Sequence, residues 1–338
     1  MAHELNFEDG KASMMYVGEV PWHGLGTRLE KAPKTAEEAI KAAGLDWQVG
    51  MKRVYAWEGD IFHEFTDRKA TVRLDHWGKE QCAPFGMVSN DYQVLQNHEA
   101  FSFFDPVIAT GKVEYHTAGA LGNGERVWVL AKVAGDILIK GHDRVEKYLL
   151  LSNGHDGRTA LQVRFTPIRV VCQNTLSAAT QGRGDLVKVY HGRNMWRRIE
   201  NAQDVVKEIL RFYDDLAAQF NHFADVAMND VRLAGYHEAI FPTPRRKPNQ
   251  SKRAHDEALA ATRTLRESSV RLFEEGKGNQ DPQVRGTLWA AYNGVTELVD
   301  HHLNYRSRWQ RLDSLWFGEG ERTKHRAFDQ AAIIVTTA

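Results

Sequence analysis

Cysteine is nearly missing from this sequence: of 338 residues, only Cys82 and Cys172 carry a thiol. They stand far apart with no CxxC spacing, so neither a disulfide framework nor a cysteine zinc site is indicated, and a reducing cytoplasm is expected. Long apolar runs are missing too. No stretch approaches the roughly 20 residues that cross a bilayer, and the polar opening "MAHELNFEDG" does not read as a signal peptide, so no membrane partner is expected. Neither sign of charge is in excess: Lys and Arg number 44, as do Asp and Glu. That balance argues against a protein coated in positive charge but leaves local patches open. There is no HExxH and no GxxxxGK[ST]. The glycine-rich "GALGNG" precedes a strand and "GLGTRL" follows none, whereas a dinucleotide fingerprint needs strand, loop and helix in that order.

What is present is the composition of a soluble globular protein, 42% hydrophobic and 26% charged, in a chain long enough for one large domain or two. The first thirty residues lack periodicity and read as an irregular arm. Thr35 opens "TAEEAIKAAG", a capping box running to Glu38, with Gly44 placed to end the helix. From Trp47 to Leu74 the short runs "WQVGMKRVYAW", "DIFHEF" and "KATVRL" suggest an antiparallel meander. "NHEAFSFFDPVIATG" is a short helix capped by Asn97 and interrupted at Pro106. Asn123-Gly124 marks a hairpin, and "NGHDG" turns a second one that Arg164–Val171 continues, with Pro167 at an edge or bulge.

Beyond "DLVKVY" the register is helical. Val206, Ile209, Leu210, Tyr213, Leu216, Ala217, Phe220 and Phe223 form one stripe. "FPTPRRKPNQSKR" (241–253) reads as a mobile basic loop. A further helix carries Leu259, Leu265 and Leu272. Pro282 starts a longer one whose stripe runs through Leu288, Tyr292, Val295, Tyr305, Trp309 and Trp316. The expected fold is α+β: an antiparallel curved sheet with short helices over 1–192, then a helical domain over 193–338.

The candidates for chemistry are few. A nucleophilic cysteine needs a base and an electropositive setting, and Cys172 has His155, His191 and Arg169 nearby in sequence. A plainer reading makes Cys172 a small apolar residue continuing the strand "RVVC" into a sheet core. His23, His116 and His155 stand in loop-like settings, with no spacing that demands a metal. His302 reads as a core histidine. The pairs Asp214-Asp215 and Glu274-Glu275 read as solvated faces. Charge is segregated, however. From Arg158 to Arg211 there are ten Lys/Arg against four acids. A single-strand site needs cations along the phosphates and aromatic platforms for bases, and "YHGRNMWRR" interleaves the two. An ordinary cationic surface fits the same residues.

Several phrases in combination resemble the DUF932 phage/plasmid-like protein family: "IRVVCQNTL", "HTAGAL…GERVWV", "GMVSNDYQVLQNHEAF", "GTLWAAYNGVTELVDHH" and "SLWFGEGERTKHRAF". The resemblance runs from the "VPWHGLG" arm nearly to the C-terminus. It implies a protein of phages and mobile elements working in a bacterial host cell, in DNA replication and recombination or against host defences. The strand-rich half also resembles, in outline, Rad52-like single-strand annealing proteins. That analogy implies a homo-oligomer, as ring or filament, with heterologous interfaces. The hairpin "EKYLLLSNGHDGRTALQVRF" and the helix ending in Trp309 and Trp316 are candidates for them. A phage nuclease or a host single-strand binding protein is a further implied partner.

The expected function is therefore single-stranded DNA binding and annealing in recombination by residues 1–192, without bond chemistry and without nucleotide, metal or other cofactor. Phosphate contacts are expected from Arg158, Arg164, Arg169, Arg183, Lys188, Arg193, Arg197 and Arg198, and base platforms from Tyr190 and Trp196. Two readings from other classes stay open: an anti-defence protein that binds a host factor, and an enzyme using Cys172 with His155 or His191.

Overall fold

A computed structural model describes residues 5–18, 25–79, 82–169, 174–175, 187–207, 209–305, 311, 314–315 and 318–337. The fold is α+β, with antiparallel sheets first and helices dominating the C-terminal half. The chain groups into two compact units: Met1–Ala134, Tyr148–Phe165 and Asp185–Ile209 form one, and Gly135–Lys147, Thr166–Gly184 and Leu210–Ala338 the other.

The first unit is built on a sheet in the order β14-β11-β10-β9-β8-β3-β4. Its strands are β3 (Met14–Val17), β4 (Thr27–Leu29), β8 (Val113–Leu121), β9 (Arg126–Ile139), β10 (Asp143–Gly154), β11 (Leu161–Phe165) and β14 (Val187–Val189), of which β9 beyond Ala134 and β10 before Tyr148 count with the second unit. Among the described pairings, only β3 and β4 run parallel. The described part of the first thirty residues is thus not irregular. β1 (Phe7–Glu8) and β2 (Lys11–Ala12) form a small hairpin, and β3 inserts beside β8 because Met14, Met15 and Tyr16 are apolar enough to be buried there.

Helix α1 (Ala36–Ala43) starts at Thr35, whose side chain accepts from the Glu38 amide, and ends at Gly44 with φ of 66°. Only glycine takes that left-handed turn without strain. Asp105 Oδ1 accepts from the Ala36 amide at 3.0 Å and from Tyr115 Oη at 2.8 Å, holding α1 against β8. The next helix differs from expectation in two ways. Its cap is Gln96, not Asn97, because the Asn97 amide is drawn inside to donate to the Leu45 carbonyl and to meet His155. The break falls at Ser102–Phe104, a 3-10 turn between α2 (Asn97–Phe101) and α3 (Asp105–Ile108), so Pro106 sits in a first turn where proline costs no hydrogen bond.

A separate three-stranded sheet runs β5 (Val49–Glu58), β6 (Ile61–Arg73), β7 (Gly86–Ser89). "DIFHEF" and "KATVRL" are not two strands but one. The turn-like residues between them form a bulge, where Phe65–Arg68 oppose Val54 alone.

In the second unit, β12 (Ile168–Arg169) pairs with Val145 and Glu146 of β10, and β13 (Asn174–Thr175) pairs with β12. Helices α5 (Ile209–Asp225), α6 (Asp230–Ile240), α7 (Lys252–Glu275), α8 (Leu288–Glu297) and α9 (Glu319–Thr337) follow α4 (Met195–Lys207) of the first unit. Their core is an aromatic cluster. Phe220 lies 4.9 Å from Trp289, and Phe223 lies 5.5 Å from Phe328, ring centre to ring centre. Trp289 Nε1 donates to Asp143 Oδ2 at 2.9 Å, and the buried Lys324 ammonium meets the buried Asp300 carboxylate at 2.9 Å. Gly294 lets α8 approach α7 closely, since a Cβ there would stand 2.9 Å from the Phe273 amide nitrogen.

Pro282 does not start α8. It precedes the turns that end at Thr287, whose hydroxyl caps the helix through the Ala290 amide. A single π turn, Leu298–His302, follows α8 and shifts the stripe, leaving His302 exposed 3.8 Å from Glu297 rather than in the core. Trp309 and Trp316 lie outside the described residues. No helix among the described residues is long and apolar enough to cross a membrane.

Candidate nucleic-acid interface

Residues 187–199 alternate between anchors and exposed side chains. Val187, Val189, His191, Met195 and Ile199 are buried, whereas Lys188, Tyr190, Arg193, Trp196, Arg197 and Arg198 are exposed. The alternation has a simple origin. A strand puts successive residues on opposite faces, and in α4 positions 195 and 199 share the buried side. His191 fixes the junction: its Nδ1 donates to the Gln93 carbonyl, its own carbonyl accepts from the Gln93 amide, and its ring stacks 5.0 Å from Tyr92. Burial pushes its pKa below the ordinary value, so the anchor is a neutral imidazole. Arg193 Nη2 pairs with Asp91 Oδ1 at 2.7 Å, but both side chains are largely exposed. Such a surface pair is weak and exchanges readily for another anion.

The strand part of this segment belongs to a wider face. Lys188 is directly opposite Gln162 on β11, so the two point the same way, and Arg164 and Tyr190 follow two residues on in their strands. The Lys188 ammonium lies 5.6 Å from the Tyr190 ring centre, a cation–π distance. Arg164 is half-buried and its Nη2 donates to Gln162 Oε1 at 2.9 Å, which aims the guanidinium. Arg164 is also opposite Leu150 of β10, so Tyr148 shares its face. Lys132 stands 5.8 Å from the Tyr148 ring centre, and the His116 ring meets that tyrosine edge-on at 5.3 Å. His116 is a strand residue, not a loop one.

Nothing in the sequence singles out Lys132 or Tyr148, and His116 stands out there only as a loop-like histidine. Period-two counting back from Arg164 through the β10–β11 register would have found Tyr148, but that register is set by the long turn and is not visible in composition.

The remaining candidates are not placed with this group. Arg158 is exposed in the turn after β10, its amide donating to Asp156 Oδ1 at 2.8 Å. Arg169 falls on β12, grouped with the second unit, and its side chain lies outside the described residues, as do Arg183, Cys172 and His23.

His155 is fully buried, with Nε2 bonded to Asn97 Oδ1 at 2.9 Å. Burial, reinforced by nearby His191, pushes its pKa down to about 3, so it carries no charge at neutral pH. Ser269 Oγ lies 2.9 Å from His237 Nε2, a buried pair in the second unit that acts as a structural hydrogen bond between α6 and α7. Among the described residues, Glu8, Asp75 and His76 come together as metal ligands would. The Arg73 guanidinium already bonds both carboxylates, with Nη2 2.7 Å from Glu8 and Nε 2.8 Å from Asp75. It takes the place of a cation.

Cations held beside aromatic rings on a sheet face, continued by an exposed Trp-Arg-Arg turn, can follow a phosphate backbone and stack bases without breaking a bond. Comparison with known proteins gives one match. The family model described as a domain of unknown function, DUF932, covers residues 84–316. No curated protein and no solved structure matches the chain.

Proposed function

The chain belongs to the DUF932 family, and from that starting point we propose that it binds single-stranded DNA and anneals complementary strands in recombination. The observation that carries this reading is the segment 188–198. There, Lys188, Arg193, Arg197 and Arg198 are exposed together with Tyr190 and Trp196, on a backbone anchored by five buried neighbours. The cations neutralise successive phosphates, and the two rings, Tyr190 at 59% and Trp196 at 42% exposure, offer stacking surfaces to bases. The half-buried Arg164 and Lys132 extend the same face along the sheet. Arg158, Arg169 and Arg183 remain part of the proposal as outlying phosphate contacts. Annealing calls for many subunits along one strand, so the working form is a homo-oligomer in the bacterial cytoplasm, with a nuclease or a host single-strand binding protein as its partner in the pathway.

The test is fluorescence anisotropy of a labelled single-stranded oligonucleotide, titrated at several salt concentrations. Wild-type binding should fall steeply with salt and exceed binding to duplex of equal length. Replacing Arg197 and Arg198 by Ala should weaken binding to every sequence alike and reduce the slope of log K against log salt by about 1.4, the share of two phosphates on a single strand. An unchanged slope removes α4 from the site. Absence of binding at low salt by folded protein overturns the reading and turns the search to a host protein partner.

A further inference from the structure

The β5–β6 hairpin holds large apolar side chains in solvent. Trp57 is 73% exposed, Phe62 66%, Ile61 60%, Tyr55 49% and Phe65 44%. β6 is paired with β7 only through Arg68–Thr71, so from the bulge outward the hairpin is a two-stranded ribbon. A lone ribbon of this kind is marginally stable in water, and its exposed face calls for a cover.

The register sorts the side chains. Arg53, Tyr55 and Trp57 of β5 share one face with Phe62 and Glu64 of β6, and Trp57 stacks on Phe62 at 5.9 Å with the rings 8° apart. Charge is graded along the ribbon. Its root carries Lys52, Arg53, Arg68 and Lys69, whereas Glu58 and Asp60 flank the tip. Arg53 and Arg68 have acid neighbours of their own, Glu64 at 3.6 Å and Asp67 at 3.4 Å. With four cations and four acids between Lys52 and Lys69, the ribbon has no net charge and exerts no general pull on a phosphate backbone.

We infer that the cover is the same ribbon of a second copy of this chain. Two ribbons laid face to face and antiparallel about a two-fold axis stack Tyr55, Trp57 and Phe62 of one on those of the other. Asp60 at the tip of each then falls near Arg53 and Lys69 at the root of its partner, about 20 Å along the strand. The surface is self-complementary, as an isologous contact requires, and the pairing closes at two. The three aromatics expose on the order of 400 Å² per ribbon, which belongs to the class of small, reversible interfaces. Assembly is therefore a micromolar dimerisation, independent of the proposed DNA site.

Sedimentation velocity of the full chain between 1 and about 100 µM reads it directly. Without DNA, the wild type should pass from monomer to dimer across that range, and Trp57→Ala with Phe62→Ala should raise the dissociation constant at least tenfold. Charge reversal isolates the geometry. A tip variant (Asp60→Lys) and a root variant (Arg53→Glu with Lys69→Glu) should each stay monomeric alone, yet form a dimer when mixed, because each then meets its opposite. A monomer at all concentrations, a dimer indifferent to Trp57 and Phe62, or a mixture that stays monomeric overturns the inference. So does a loss of single-strand affinity in the Trp57/Phe62 variant with its oligomeric state unchanged, which would make the ribbon a nucleic-acid contact.

Discussion

The same residue types have opposite fates in two regions of this molecule. In the helical unit, Phe220, Trp289 and Tyr292 have no solvent exposure and pack at 4.9–6.1 Å. On the β5–β6 ribbon, Trp57 and Phe62 stack at 5.9 Å, a comparable distance, with most of their surface in water. Ring-to-ring distance therefore says little about what an aromatic contributes. What differs is how much water each ring displaces, and that decides whether it holds the fold or waits for a partner.

Breaking the buried side of that comparison should have the largest effect. Trp289→Ala removes the centre of the cluster and one donor to the Asp143 carboxylate, so unfolding in urea should show a loss of about 3–5 kcal/mol. A loss under 1 kcal/mol would mean that the cluster is not the core of its unit.

A second prediction concerns acid. His155 is neutral in the fold, with its pKa at about 3 against an ordinary 6.5. The unfolded chain binds its proton first as pH drops, so the stability that neutrality confers is complete above pH 6.5. It is lost between 6.5 and about 3, at a slope of about 1.4 kcal/mol per pH unit for this one group. His155→Gln, which keeps a donor for Asn97, should lower stability at pH 7 and flatten that acid limb. An unchanged limb would show that His155 does not titrate there.

The exposed side of the comparison gives the smallest effect. Trp57→Ala should alter the urea stability of the dilute monomer by no more than about 0.5 kcal/mol, although it removes the largest side chain on the ribbon. A loss near that of Trp289→Ala would mean that the ring is buried in solution and would erase the contrast.

Much of the fold is legible in the sequence where local chemistry decides. Thr35 and Gly44 bound α1 as capping rules require, Asn123-Gly124 joins β8 to β9, and the stripe from Tyr213 to Phe223 is the buried side of α5. The misses lie where tertiary contacts override local preference. Asn97 gives up a cap to reach Leu45 and His155. The bulge at Phe65–Arg68 looks like a turn because Thr66, Asp67 and Arg68 are polar. The π turn after α8 shifts the stripe and moves His302 to the surface.

The site was half legible. The interleaving of 188–198 is a sequence pattern, and its exposure matches it. Lys132, Tyr148 and His116 come from distant strands, and only the register brings them beside Arg164. The hairpin 146–165, a candidate for joining subunits, buries Leu149, Leu151, Leu161 and Val163. The exposed ribbon was hidden because its alternation looks like any half-buried strand.

The bulge of β6 has one more consequence. Below it the strand is pinned on both sides, by β5 and β7, while above it only β5 holds it. Amides near the tip can therefore fray and exchange with solvent while those at Arg68–Thr71 stay protected, as they open only with the unit itself. Phe65–Arg68 act as the stop of a zipper. The outer ribbon can open, close and trade partners without loosening the sheet from which it springs.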